Sequence, residues 1–133
     1  MTTNIFVNLP VKDLKKSRTF FTKLGYTFNE QFSNDSAACL VISDTIYSML
    51  VTEPMFKGFI GINGQISDAH KSTETITSLS MESRHAVDAI VDKAIGAGAT
   101  TPVPAVDHGF MYERGFKDLD GHMWSYFFMQ PVK

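Results

Sequence analysis

The sequence predicts an α+β fold of two tandem βαβββ modules. Two observations carry this expectation. Segments with apolar alternation at period two are interrupted twice by stretches with a helical apolar stripe. The order strand, helix, strand, strand, strand then occurs twice in 133 residues, with a polar, glycine-bearing break between.

Residues 4–11 open the first module as a strand, with Ile5, Val7, Leu9 and Val11 alternating with Phe6, Asn8 and Pro10. Asp13 is placed to cap a helix over 13–24, where Leu14, Ser17, Phe21 and Leu24 form a stripe and Gly25 ends it. Strands are expected at 26–33, 36–43 and 45–52, separated by the turn pairs Asn34-Asp35 and Ser43-Asp44. Residues 54–72 lose all periodicity and contain Pro54, Gly58, Gly61 and Gly64, so they read as a connector with a helical turn near 54–59.

The second module begins with a strand at 74–81. Ser83 caps a helix over 84–97 with a stripe of Val87, Ile90, Val91, Ala94 and Ile95, stopped by Gly96 and Gly98. Strands are expected at 99–104, 110–117 and 122–129, the last two joined by a tight turn at Asp120-Gly121. Leu9-x-Val11-x-Asp13 matches Leu79-x-Met81-x-Ser83, and Ile46-Tyr47-Ser48 is aligned with Met123-Trp124-Ser125. The whole chain, 1–133, is read as a single domain, with module one at about 1–53, the connector at 54–72 and module two at 73–133.

Composition bounds the function. With 44% apolar and 20% charged residues and a net charge of −2, the chain has no global attraction for nucleic acid or an anionic membrane. No apolar run reaches the roughly 18 residues of a membrane span. No signal peptide is read at the start, and a single cysteine allows no internal disulfide, so a cytoplasmic location is expected. Cys39, in the apolar run 37–42, reads as a buried thiol. The basic residues Lys12, Lys15, Lys16 and Arg18 read as a solvated helix face. No phosphate-cradling glycine loop, Ser-His-Asp arrangement or nucleic-acid-binding module is legible.

The opening Val11-Lys12-Asp13-Leu14, with Ser17 and Phe20-Phe21-x-x-Leu24-Gly25, together with the turn Phe116-Lys117-Asp118-Leu119-Asp120-Gly121-His122, resembles the vicinal oxygen chelate superfamily, which includes glyoxalases, bleomycin-resistance proteins and extradiol dioxygenases. Leu119 stands where the family's turn has proline. The resemblance covers nearly the whole chain. It implies a curved mixed sheet around a pocket, and a homodimer.

It also implies where a divalent metal would be held in metal-dependent members. The positions that correspond are Phe6 on the first strand, Ser48 or Met49 on the last strand of module one, Ile76, and Ser125 four residues after Gly121. None is a strong ligand for a divalent cation. A register slip does not supply one, since 5–11, 45–52 and 75–81 contain no His, Asp or Glu, and 122–129 offers only His122. No metal or cofactor is therefore expected.

Phe6, Ile76, Met123 and Phe127 suggest instead an apolar pocket, with Asn8, Ser48, Ser78 and Ser125 as its polar groups. Tyr112, Arg114 and Phe116 share one strand face. If that face lines the pocket, Tyr112 and Arg114 contact the ligand, and Arg114 clamps an anionic group; if it faces outward, Arg114 is a surface or dimer contact. His108, Tyr112, Glu113 and Arg114 are the candidate catalytic groups, His108 as an acid or base near neutral pH. His70 and His85 read as surface residues, His122 as a turn residue, and Phe56 and Phe59 as a lid or a dimer contact. The expected function is metal-independent binding of a small organic molecule. The alternative is a glyoxalase-like lyase or isomerase with a rearranged site.

Overall fold

A computed structural model describes residues 2–131; the outer limits of the expected modules, residue 1 and residues 132–133, lie outside it. The chain divides into two compact units, 1–68 and 69–133, and the division falls inside the expected connector. Each unit contains one four-stranded mixed sheet, and the two sheets have the same topology.

In the first unit β1 (Ile5–Val11) leads into α1 (Leu14–Lys23), followed by β2 (Thr27–Asn29), β3 (Ala37–Val41) and β4 (Ile46–Thr52). The order across the sheet is β1-β4-β3-β2, with β1 and β4 parallel and the others antiparallel. Asp13 caps α1 by accepting the Lys16 N–H at 3.1 Å. Gly25 ends it at φ +102°, a left-handed conformation that costs a residue with a Cβ but not glycine. Phe20, Phe21 and Leu24 are buried, as are Val11, Leu40 and Leu50 of the sheet.

β2 is shorter than its apolar alternation suggests. Asn29 accepts the Gln31 N–H through its side chain and starts a 3₁₀ turn at Glu30–Phe32, which ends the strand. After β4 the chain continues directly into α2 (Glu53–Ile60), a full helix with Pro54 in its first turn rather than a single turn.

In the second unit β5 (Ile76–Ser80) leads into α3 (Arg84–Gly96), then β6 (Val106–Asp107), β7 (Met111–Lys117) and β8 (Met123–Met129), in the order β5-β8-β7-β6. Ser83 caps α3 by accepting the Ala86 N–H at 3.0 Å. Gly98, at φ +112°, closes the helix; Gly96 is its last helical residue. No strand forms over 99–104. Thr100 makes one isolated bridge to Lys117, and pairing resumes only at Val106. Pro102 and Pro104 lack the N–H groups that a ladder requires.

The β7–β8 turn is built around Asp118. Its carboxylate accepts the N–H groups of Asp120 and His122 and the Trp124 Nε1–H, at 2.9–3.0 Å. Burial pushes this carboxyl above its ordinary value, while the three donors and His122 pull the other way.

Candidate functional site

In each sheet the strand ladders assign every side chain to one of two faces, because alternate residues point oppositely. In the first unit Phe6 pairs with Tyr47, Val7 with Ser48 and Asn8 with Met49. Phe6, Asn8, Tyr47 and Met49 therefore share a face with Cys39, which is opposite Met49. Ser48 lies on the other face, with Val7, Leu9, Leu40 and Leu50. It is buried, and its hydroxyl donates to the Val7 carbonyl at 3.0 Å. Ser48 is thus separated from Phe6 and Asn8 by the thickness of the sheet.

The same ladders correct the alignment of the two halves. Phe6 pairs with Tyr47, and its counterpart Ile76 pairs with Met123. Tyr47 corresponds to Met123 and Met49 to Ser125, one residue away from the match made on sequence. A slip of one residue exchanges the faces, which is how Ser48 came to be grouped with the pocket.

Within the first unit, Phe6 and Met49 line a cleft of about 420 Å³ together with Gln31, Phe32, Ser33 and Asn34 from the 3₁₀ turn and the loop after it. Phe6 is stacked on Tyr47, with centroids 4.7 Å apart and planes 11° apart. Phe32 is 62% exposed. The Asn34 Oδ1 accepts the N–H groups of Ser36 and Ala37, which directs its amide nitrogen outward. Asn8 donates to the Phe6 carbonyl at 3.4 Å. The Cys39 thiol is fully buried, and burial pushes its pKa up, so it is not a thiolate nucleophile.

In the second unit Ile76, Ser78 and Ser80 share a face with Met123, Ser125 and Phe127 of β8 and with Glu113, Gly115 and Lys117 of β7. Tyr112, Arg114 and Phe116 lie on the opposite face, toward α3. The Tyr112 hydroxyl donates to Asp88 at 2.6 Å, and Arg114 pairs with Asp88 and Asp92, each at 3.0 Å. That face lies toward α3, on the side of the sheet away from Ser78 and Ser125, and Arg114 meets the partly exposed Asp88 and Asp92 there. The Asp88–Asp92 spacing, four residues apart on one helix flank, is the sequence signal that could have predicted the Arg114 contact.

The electrostatics of this cluster are mutual. The Tyr112 hydrogen bond, and then Arg114, hold Asp88 below the usual carboxylate range, although burial opposes them. The Asp88 carboxylate in turn pushes the Tyr112 phenol up. A phenol held in this way is a structural donor rather than an acid poised for neutral pH. His108 sits in the β6–β7 hairpin, its ring stacked against Phe110 and its backbone N–H donating to the Met111 carbonyl. Of the four candidate catalytic groups, Glu113 shares a face with Ile76, Ser78 and Ser125, and it accepts the Ser125 hydroxyl at 3.2 Å.

The positions that correspond to the superfamily's metal ligands are Phe6 and Met49 in one unit and Ile76 and Ser125 in the other. They provide a phenyl ring, a thioether, an alkyl chain and a neutral hydroxyl, a donor set that does not fit a divalent cation. Among the described residues no group of three His, Cys, Asp or Glu is arranged to hold a metal ion. No helix among them is long and apolar enough to cross a membrane.

Residues 3–43 match the family model described as bleomycin resistance protein-like N-terminal. No curated protein matches the chain in sequence. Among solved structures, hypothetical protein SA1046 from S. aureus is 26% identical, with a TM-score of 0.78 over 96% of this chain and 95% of that one. A glyoxalase/bleomycin resistance protein/dioxygenase family enzyme from Burkholderia phytofirmans is 16% identical, with a TM-score of 0.76 over 96% and 99% of the two chains. The fosfomycin resistance protein FosX from Listeria monocytogenes is 15% identical, with a TM-score of 0.68 over 100% and 95%. With its duplicated βαβββ topology and the family match over residues 3–43, the chain has the vicinal oxygen chelate fold of the glyoxalase, bleomycin-resistance and dioxygenase proteins.

Proposed function

We propose that this is a metal-independent small-molecule-binding protein of the glyoxalase/bleomycin-resistance type. The observation that carries the reading is the cleft beside Phe6. Its walls are two phenyl rings and a thioether, and its rim offers the amides of Gln31 and Asn34. Such a surface suits a small, planar, uncharged molecule held by ring contact and a few hydrogen bonds. The ring of Phe6, already backed by Tyr47, is a rigid platform that loses little freedom when a ligand arrives.

Metal independence rests on the donor set. Replacing the water shell of a divalent ion requires several anionic or imidazole groups converging on one point, and the corresponding positions supply none. The alternative, a glyoxalase-like lyase or isomerase, rests on Glu113 alone among the four groups considered. We also take the chain to act as a homodimer, for which a solution mass of twice the monomer is expected by light scattering.

The test is an NMR titration of the ¹⁵N-labelled protein with indole and phenol as probes. Amide shifts are expected at Phe32, Ser33, Asn34 and Met49, and Phe6→Ala is expected to weaken binding by about fivefold or more. Unmoved amides across a library of uncharged aromatic fragments would reject the binding reading. Stoichiometric divalent metal coordinated by this chain's own side chains would reject metal independence.

A further inference from the structure

Glu113 is half-buried on β7 on the face opposite α3, between Val106 of β6 and Phe127 of β8 in the ladders. The other acids tied to β6, β7 and α3 are compensated: Asp88 and Asp92 share Arg114, and Asp107 is held by Arg84. Glu113 takes part in no ion pair among the described residues. Its hydrogen-bond partner is a neutral hydroxyl, Ser125 Oγ, on a residue only 8% exposed. Lys117 shares the face but lies four residues along the strand, about 13 Å away by strand rise. A half-buried carboxylate whose hydrogen-bond partner is a neutral hydroxyl can accept a charge-assisted hydrogen bond from a cation.

The side chains beside it are small. Ser78, Ser125 and Gly115 lie in one row across β5, β8 and β7. Gly115 carries no side chain there, and a Cβ would come within 2.7 Å of the Trp124 carbonyl oxygen. The row is therefore low, with Ile76 and Met123 on one side and Phe127 and Glu113 on the other. An ammonium group has three N–H donors and no acceptor. The Glu113 carboxylate and the serine hydroxyl oxygens can accept them, and the Phe127 ring can supply cation–π attraction.

The geometry points to a recognition site on this face for a small organic cation, a primary ammonium on an apolar body, with Glu113 as the charge-bearing contact. The inference goes beyond the cleft beside Phe6: this is a second site, on the other sheet, for a ligand of different charge. Lys117 stands in the neighbouring row, opposite Met123, and disfavours a second positive group on that side.

The test compares three probes of one shape on the intact chain by NMR: benzylammonium, benzyl alcohol and benzoate. Benzylammonium is expected to move the amides of Glu113, Gly115 and Ser125 and to bind about fivefold or more tightly than benzyl alcohol, with benzoate weakest. The preference is expected to vanish in Glu113→Gln, which preserves the side-chain shape. In the wild type it is expected to shrink as salt rises from about 20 to about 300 mM, while benzyl alcohol binding stays constant; this measurement needs no variant to fold. Equal binding of the three probes, an undiminished preference in Glu113→Gln, or salt-insensitive benzylammonium binding would overturn the inference. If benzyl alcohol still moves Phe32 and Met49 in that case, the binding reading stands and the cation site alone fails. If no probe moves amides in either unit, both fail.

Discussion

Ser48 and Met49 are adjacent in sequence and lie on opposite faces of the first sheet, Ser48 bonded to the Val7 carbonyl and Met49 in the cleft beside Phe6. That relationship separates stability from binding at neighbouring positions. Ser48→Ala is expected to cost about 1 kcal/mol in urea unfolding and to leave indole binding unchanged. Met49→Ala is expected to weaken indole binding measurably. The reverse pattern would mean that the β1–β4 register is wrong.

Installing one imidazole at the corresponding ligand position should not create a metal site. Phe6→His faces Tyr47, Asn8 and Met49, none of which is a carboxylate or a second imidazole. Purified Phe6→His is expected to retain well below one equivalent of zinc or nickel by elemental analysis. A full equivalent would show that nearby donors had been overlooked.

The turn at Asp118 should be sensitive to an isosteric change. In Asp118→Asn an amide oxygen can still accept backbone N–H groups, but the amide nitrogen meets the Trp124 Nε1–H, donor against donor. A loss of about 2–3 kcal/mol is expected in chemical denaturation. A loss under 0.5 kcal/mol, a threshold of about the scatter of surface substitutions, would remove the carboxylate from its assigned role.

Glycine is required where β7 meets β8 and in the following turn. A Cβ at Gly115 would lie 2.7 Å from the Trp124 carbonyl oxygen; at Gly121, where φ is +86°, it would lie 2.7 Å from the His70 backbone nitrogen. Each Gly→Ala change is expected to destabilise by about 1–3 kcal/mol. Gly58→Ala, with open space at its Cβ and a helical backbone, is the control and should be neutral or slightly stabilising.

Acid sensitivity follows from Asp88 and Asp107. Asp88 is held low chiefly by the Tyr112 hydroxyl and then Arg114, and Asp107 chiefly by Arg84 and then the Gly109 N–H. A carboxyl whose folded pKa lies below its unfolded value of about 3.9 stabilises the protein fully above that value, and the contribution is lost as pH falls through the folded pKa. The melting temperature should therefore fall on acidification below about pH 4. Tyr112→Phe should make that acid limb shallower, at a cost near 1 kcal/mol at neutral pH. An unchanged limb in the variant would argue against the Asp88 contact.

Much of the fold was legible because local signals agreed. Asp13 and Ser83 cap the two helices, Gly25 and Gly98 end them, and the alternation of Ile5 to Val11 marks β1. What failed were questions that alternation alone cannot answer. A strand pattern sorts residues into two faces without saying which face meets a helix, so Tyr112 and Arg114 were grouped with a ligand they do not face. The run from Met123 to Phe128 has no polar residue except Ser125, so its alignment with β4 slipped by one. The cleft residues Gln31, Phe32 and Asn34 went unread because they belong to a turn that periodicity had absorbed into a strand.

The two sheets share one floor plan while their faces opposite α1 and α3 are furnished differently: Ala37 stands where the second sheet has Glu113, Cys39 where it has Gly115, Met49 where it has Ser125. These side chains lie on the face opposite Leu40 and Leu50, or Phe116 and Trp124, where Ala37, Cys39 and Ser125 are themselves buried. Exposed positions on those faces, Phe6 in the first sheet and Ile76 in the second, can therefore be rewritten while the load carried by Leu40, Leu50, Phe116 and Trp124 is left alone.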